Sequence, residues 1–323
     1  MSRLVRDVEG GPLATQPSVV CIGAFDGLHV GHQALVRQTL ARARNLGALA
    51  GVISFDPLPR EFLLGAAAPP RIASARDRFE RLRALGVDLV GLLRFNAQLA
   101  AMPAEDFVTR VLVQRWQVAE VWVGHDFRFG HRRGGDLALL RAMGVDLGFR
   151  AEAIETHELD GQRVSSSAVR TALAAGDFAS ARRALGRPYS IAGKVVRGKQ
   201  LGRTLGYPTA NQRLEGARPA LSGIFATRVH GVGTRPWPGV SSLGTRPTVD
   251  GIEPLLETHL FDFDGDLYGR RIEVEFVARL RDELKFDSLE ALTAQMHRDA
   301  AEARRILGAT APEAPFSANR IPA

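Results

Sequence analysis

From residue 18 to about 186, short apolar runs alternate with stretches whose apolar positions recur every three to four residues. That alternation predicts an α/β unit, a mainly parallel sheet covered by helices on both faces. The predicted strands are 18–23, 48–55, 87–93, 119–124 and 148–154. Between them fall predicted helices at 32–46, 75–85, 103–115 and 134–143, with two short ones near 166–175 and 177–185. Pro103 suits the first turn of the third helix, whose apolar face is Phe107, Val111 and Leu112.

At Gly186-Arg187-Pro188-Tyr189 the pattern changes. Strands at 189–197, 221–229, 238–243, 255–262 and 271–278, punctuated by glycine and proline, predict a small antiparallel β-barrel. A terminal helix over 288–307 repeats Leu289, Leu292, Met296, Ala300 and Ala303 at helical spacing and is expected to pack on the barrel. The expected domains are therefore 18–186 and 187–310, with residues 1–17 a flexible N-terminus and 311–323 a flexible tail.

Composition narrows the class. The 323 residues suffice for two domains, and 42 Lys+Arg against 35 Asp+Glu leave a net charge of +7, which suits phosphorylated ligands. Lysine occurs only at 194, 199 and 285, so the basicity is carried by arginine and reads as a compositional habit. A nucleic-acid reading needs aromatics interleaved with cations on strands, and only 7% of the chain is aromatic. The single cysteine, Cys21, sits in an apolar strand and reads as a buried thiol. No apolar run approaches the roughly 20 residues of a membrane span, so a cytoplasmic protein with no membrane partner is expected. Nothing in the chain assigns an oligomeric state.

The chemistry concentrates first in Gly23-Ala24-Phe25-Asp26-Gly27-Leu28-His29-Val30-Gly31-His32, at a strand-to-helix turn. The first amides of a helix lack partners and its N-terminus is positive, so this turn can hold phosphate, with His29 and His32 adding donors. Two histidines satisfied within the turn is the plainer reading. Zinc ligation has neither a third ligand at suitable spacing nor an HExxH run. Further along, Val123-Gly124-His125-Asp126-Phe127-Arg128-Phe129-Gly130 ends a strand, and Arg163-Val164-Ser165-Ser166-Ser167-Ala168-Val169-Arg170 opens a helix. Ser166 or Ser167 can cap that helix, and the same hydroxyls with Arg170 can bind phosphate oxygens.

The HxGH turn resembles the nucleotidyltransferase superfamily. The ordered set GxFDGxHxGH, VGxDFRFG and SSSxxR resembles the adenylyltransferase half of the prokaryotic bifunctional riboflavin kinase/FMN adenylyltransferase (FAD synthetase) family, which implies a Rossmann-like first domain. The resemblance implies that His29 and His32 act at the ATP phosphates, with Gly23, Phe25, Asp26 and Gly31 of the same turn also binding the nucleotide. It places Asp126 on the nucleotide and metal side, and Arg163, Ser166, Ser167 and Arg170 in the ATP site. Phe55, Phe62 and Phe129 are candidates for flavin stacking or for the core. One departure is Leu58, in Asp56-Pro57-Leu58-Pro59, where the family usually has histidine.

The second motif runs from Gly193 to Asn211 and lacks the GxxxxGK[ST] of a P-loop. Its glycines can be turns between strands. Thr209 and Asn211 offer hard oxygen ligands for Mg²⁺, and Arg203 lies in a glycine-flanked loop able to approach polyphosphate. The run GxVxxGxxxGRxLGxPTAN resembles riboflavin kinase, as do Gly223-Ile224-Phe225-Ala226, Leu243-Gly244-Thr245-Arg246-Pro247-Thr248 and Glu257-Thr258-His259. That resemblance implies a six-stranded barrel, Glu257 as the base, Thr209 and Asn211 on the metal, and Gly198 and Arg203 at the nucleotide. Ser242 and Phe225 depart from the commoner asparagine and tyrosine. The implied activity is bifunctional: ATP and riboflavin give FMN in the second domain, and ATP and FMN give FAD in the first. The implied ligands are ATP, riboflavin, FMN, FAD and Mg²⁺, with no nucleic acid. A transferase of the same superfamily with another acceptor leaves the barrel motifs unexplained.

Overall fold

The computed structural model describes residues 2–155, 158–159, 161–198, 202, 205–214, 218–248 and 251–308, with backbone alone at 246–248 and 251–253. Arg203 and the expected tail at 311–323 lie outside the described residues. The chain forms two compact units, residues 1–69 with 73–166, and residues 70–72 with the remainder from 167.

The first unit is built on six parallel strands: β1 (Arg3–Val5), β2 (Ser18–Ile22), β3 (Leu49–Asp56), β4 (Leu89–Arg94), β5 (Val118–Gly124) and β6 (Arg150–Ile154). Their order is β1-β4-β3-β2-β5-β6. From β2 the chain winds outward through β3 and β4, and from β5 it winds the other way through β6. The switch point therefore falls between β2 and β5, where doubly wound sheets open a crevice beyond their strand ends. Two of the three first-domain motifs, Gly23–His32 and Val123–Gly130, lie at the ends of these two strands.

The helices of this unit are α1 (Val30–Leu46), α2 (Pro59–Leu64), α3 (Ala75–Ala84), α4 (Ala97–Ala101), α5 (Ala104–Asp106) and α6 (Leu137–Leu147). α1 buries Leu35, Val36, Leu40 and Ala43, and Gly47 ends it in the left-handed region at φ 60°. The predicted helix at 103–115 is instead one α turn followed by a π-helix, Phe107–Arg115. Its end places Trp116 over β3 and β4, where a Cβ at Gly51 or Gly91 would lie 2.9 or 2.8 Å from the indole. The glycines make the room that the indole fills.

The N-terminus corrects the expectation of a flexible segment at 1–17: β1 pairs in parallel with β4, and Val5 and Leu13 are buried. Three residues are too few for periodicity to register.

A two-stranded hairpin of β7 (Glu158–Leu159) and β8 (Gln162–Arg163) precedes α7 (Ser166–Ala175) and α8 (Phe178–Leu185). Although the sequence pattern groups α7 and α8 with the first domain, they bury Val169, Leu173, Ala181 and Leu185 in the apolar core of the barrel unit. The barrel comprises β9 (Ser190–Val196), β10 (Ala210–Arg213), β11 (Gly223–His230), β12 (Trp237–Thr248), β13 (Gly251–Leu260) and β14 (Arg271–Arg281), closed in the order β10-β13-β12-β11-β14-β9. β10 is the strand the pattern missed, because its buried Asn211 and Gln212 read as polar.

Alternation divides the barrel strands. Phe225, Val229, Leu243, Leu256 and Leu260 join the interior cluster, whereas Ala226, Val240 and Ala278 lie under the terminal helix α9 (Leu289–Leu307) with Ala300 and Ala303. Ser288 caps α9 by accepting the Ala291 N–H at 3.1 Å, and Arg281 holds Asp299 at 2.7 Å.

Candidate functional sites

In the first unit His29 is the N-cap of α1, its Nδ1 accepting the His32 amide at 3.2 Å. The first-turn amides of Val30 and Gly31 precede any i−4 carbonyl of the helix, leaving the end electropositive. The His29 and His32 rings stack with centroids 3.6 Å apart, and Phe25 lies 5.1 Å from the His32 ring. Phe25, Gly27 and Leu28 all adopt positive φ, at 49°, 78° and 46°. Strain of this kind persists where the surroundings over-determine it. Here Phe25 and Leu28 are buried, the Leu28 amide donates to the Phe25 carbonyl at 3.1 Å, and the Asp26 carboxylate accepts the Ala73 amide at 3.1 Å.

These contacts refine the sequence-based assignments. The Gly23 amide donates to the Ile53 carbonyl at 3.0 Å, so it belongs to the sheet, and a Cβ there would meet the Phe25 ring at 3.2 Å. Asp26 and Phe25 shape the turn from within. Burial, then the neighbouring His29, holds the His32 imidazole well below the usual histidine range, and its Nδ1 is buried without a hydrogen-bond partner.

A histidine that charges near pH 6.5 in the unfolded chain but stays neutral in the fold favours folding at higher pH. This contribution is fully present above about pH 6.5 and is lost as pH falls from there towards the folded value, by about 1.4 kcal/mol per pH unit. Thermal melting of His32→Gln is expected to show a shallower loss of stability between pH 6.5 and 5 than the unaltered chain.

Arg163 donates to Asp126 Oδ2 at 2.8 Å, bringing two predicted residues together and holding the Asp126 carboxyl below the usual carboxylate range. Ser166 Oγ donates to the Asp26 carbonyl at 3.0 Å. Ser167 and Arg170 fall in the second unit, where Arg170 Nε donates to the Pro70 carbonyl at 2.7 Å.

Phe55 and Phe62 flank Phe95, with centroids 5.7 and 5.6 Å from it, and Phe62 is 42% exposed. Phe95 is an aromatic member that motif reading missed. Phe129 belongs to a separate group, stacked on Phe127 at 5.4 Å and packed against the first unit's core. Leu58 is buried at the N-cap of α2, its amide accepted by Glu61 Oε2 at 2.8 Å.

In the barrel, Asn211 pairs with Glu257 across β10 and β13, and Glu257 pairs with Ser242 across β13 and β12. Directly paired residues share a face, and Ala210, Leu256 and Leu243 occupy the interior. Asn211, Glu257 and Ser242 therefore form one row on the opposite face.

The two end residues of this row, Asn211 and Ser242, each line a cleft. One, of about 650 Å³, is lined by Thr209, Asn211, Arg197, Phe263, Asp264 and Tyr268, with Arg197 5.4 Å from the Tyr268 ring. The other, of about 510 Å³, is lined by Ser242, Ile224, Glu283, Leu284, Phe286 and Leu292. Burial pushes the Glu283 carboxyl up and the charge of Glu257 adds to this, while Arg281 opposes it. Glu283 was missed by motif; the one signal for it is Gly244, where a Cβ would fall 2.0 Å from Glu283 Oε1. Phe225 is fully buried against Phe276 and takes no part in either cleft.

Asn211 Nδ2 donates to the Thr209 carbonyl at 3.0 Å and to Thr209 Oγ1 at 3.2 Å, while Asn211 Oδ1 is buried without a partner. An orphaned amide oxygen beside a hydroxyl fits a hard divalent cation. Gly198 keeps that oxygen clear, since a Cβ there would sit 2.6 Å from it. Gly198→Ala is expected to lower phosphoryl transfer by roughly tenfold or more and to raise the metal concentration for half-maximal rate. A metal titration of the initial rate measures both.

The His29/His32 helix start on a doubly wound sheet and the Asn211–Glu257 row on a closed barrel fit a two-unit phosphoryl- and nucleotidyl-transfer enzyme. FAD synthetase sequences match residues 12–168 and riboflavin kinase sequences match residues 185–307. The bifunctional riboflavin kinase/FMN adenylyltransferase of Pseudomonas fluorescens is 47% identical over 294 residues, 91% of this chain and 94% of its own. The protein of the same name from Escherichia coli strain K12 is 42% identical over 313 residues, 96% of this chain and 99% of its own. This chain belongs to that family. Its fold also matches a crystal structure described as a macrolide-efflux protein of Streptococcus pneumoniae, with TM-score 0.75, 29% identity and coverage of 94% and 98% of the two chains. Among the described residues, no helix is long and apolar enough to cross a membrane.

Proposed function

We propose that this chain phosphorylates riboflavin to FMN in the barrel unit and adenylylates FMN to FAD in the first unit, consuming ATP at both sites, in the cytoplasm and with Mg²⁺ as the divalent metal. The observation that carries the reading is the row Asn211, Glu257 and Ser242, in which Glu257 pairs with one residue lining each cleft. ATP occupies the cleft of Thr209, Asn211 and Tyr268, and riboflavin the cleft of Ser242, Phe286 and Leu292.

Glu257 accepts the proton of the terminal ribityl hydroxyl as its oxygen attacks the γ-phosphorus and ADP leaves. Thr209 Oγ1 and Asn211 Oδ1 would hold the metal, which when bound would neutralise charge growing on the phosphate oxygens. Ser242 gives the flavin cleft a hydroxyl in place of the commoner asparagine, so its polar contacts to flavin are shorter in reach.

In the first unit an FMN phosphate oxygen attacks the α-phosphorus of ATP and pyrophosphate leaves. No covalent nucleophile is needed. The N-terminus of α1, with the His29 and His32 rings beside it, stabilises charge on the α-phosphate. Phe55, Phe62 and Phe95 supply an aromatic wall for the flavin ring, and the Asp126–Arg163 pair edges the nucleotide crevice.

The test is to incubate the purified chain with riboflavin, ATP and Mg²⁺ and to separate the flavins by chromatography. FMN is expected first and FAD after it. Absence of both products rejects the reading.

A further inference from the structure

Arg78 is the fourth residue of α3 and its side chain is fully buried. Taking a guanidinium out of water is costly unless its donors are met. Here the two terminal nitrogens are met by the two strand ends that frame the adenylyl-transfer site. One terminal nitrogen donates to the Ala24 carbonyl at 3.1 Å and to Ser54 Oγ at 3.0 Å. The other donates to the Phe55 carbonyl at 3.0 Å and reaches Asp56 Oδ1 at 3.5 Å.

Ala24 lies in the phosphate turn after β2, one residue before the strained Phe25. Phe55 follows the buried run of β3, which ends at Ser54, and belongs to the aromatic wall. Ser54 Oγ closes the arrangement by donating to the Ala24 carbonyl at 2.9 Å. Just before α3, the Ala73 amide donates to the Asp26 carboxylate and ties the same turn.

We infer that Arg78 is a positioning residue for adenylyl transfer: its planar fork fixes the spacing between the turn that holds the ATP phosphates and the strand end that holds the flavin. Only a guanidinium can bridge the two carbonyls from one buried side chain with parallel donors. In-line attack depends on that spacing, and displacement by an ångström costs about 100-fold in rate. The fixed positive charge behind the turn also adds to the field at the phosphates. This inference rests on the proposed adenylyl transfer in the first unit.

Its test measures FAD formation from supplied FMN in the full chain, with riboflavin phosphorylation by the same preparation as an internal control. Arg78→Lys keeps the charge and loses the fork; its kcat is expected to fall by about 100-fold, with KM for ATP within about threefold of the unaltered chain. Arg78→Met, which loses the charge as well, is expected to fall further. Ser54→Ala, which removes one partner and leaves Arg78 in place, is expected to lower kcat by about fivefold, and it decides the matter if Arg78→Met does not fold. Unchanged kcat in both Arg78→Lys and Ser54→Ala overturns the inference, as does a fall in kcat matched by an equal loss of folded first unit. If the unaltered chain itself converts no FMN, it is the proposed function that fails.

Discussion

Glu257→Gln is expected to abolish FMN formation while leaving the conversion of supplied FMN to FAD at its original rate. An alcohol attacks phosphorus poorly while it keeps its proton, and a positioned general base contributes about 10²–10⁴-fold. The glutamine side chain has the same shape and cannot accept that proton. Because Glu257 stands on the barrel wall between Asn211 and Ser242, the exchange leaves both clefts intact, and KM for ATP is expected to change far less than kcat. Chromatography of the flavins formed from riboflavin and, separately, from FMN measures the two activities in one preparation. A Glu257→Gln protein that still phosphorylates riboflavin within tenfold of the original rate would remove Glu257 from the base role.

At the other site, His29→Ala is expected to do the reverse, retaining riboflavin phosphorylation and losing FAD formation. His29 has two jobs, since its ring caps α1 and stacks on His32. Alanine removes both, and loss of the cap alone costs about 1 kcal/mol of helix stability. His29→Asn separates them. Asparagine is a good N-cap, so α1 is expected to keep its start and its melting behaviour, while the ring proposed to act at the phosphates is gone. Loss of one such preorganised donor is worth about 10²–10³-fold in kcat. A His29→Asn protein that melts like the original and makes FAD at full rate would show that His29 serves the helix alone.

How much of this was legible in the sequence depended on whether the signal was local. Helix starts at Asp136, Asp177 and Ser288 and stops at Gly47, Gly148 and Gly308 are written in residue types with few alternatives; α1, α8 and α9 stand within two residues of where periodicity puts them, whereas α6 runs Leu137–Leu147 in place of the expected 134–143. β1 was invisible because three residues carry no period, and β10 because its buried positions are the polar Asn211 and Gln212. α7 and α8 could be read as helices but not assigned to a core, since an apolar stripe does not name the surface that covers it.

The sites divide in the same way. The His29–His32 turn is contiguous and could be read as a phosphate-binding helix start. The row of Asn211, Glu257 and Ser242 is a matter of strand register, joining three residues far apart in the chain. Motif resemblance supplied two of the three as functional residues, and register alone shows that they are neighbours. Arg78 lies beyond either signal. In a helix reading Ala75-Arg76-Asp77-Arg78 it passes for one more surface arginine, and nothing but its burial reveals that it spans two strand ends.

The central claim is that two sites in one chain act in sequence, each with its own residues. Mixing the Glu257→Gln and His29→Asn proteins in equal amounts with riboflavin, ATP and Mg²⁺, and following FAD by chromatography, tests it most directly. Glu257→Gln alone is expected to leave riboflavin unchanged, His29→Asn alone to stop at FMN, and the mixture to make FAD from FMN released by one protein and adenylylated by the other. FAD formed at full rate by either protein alone, or none formed by the mixture when Glu257→Gln still converts supplied FMN, would contradict it.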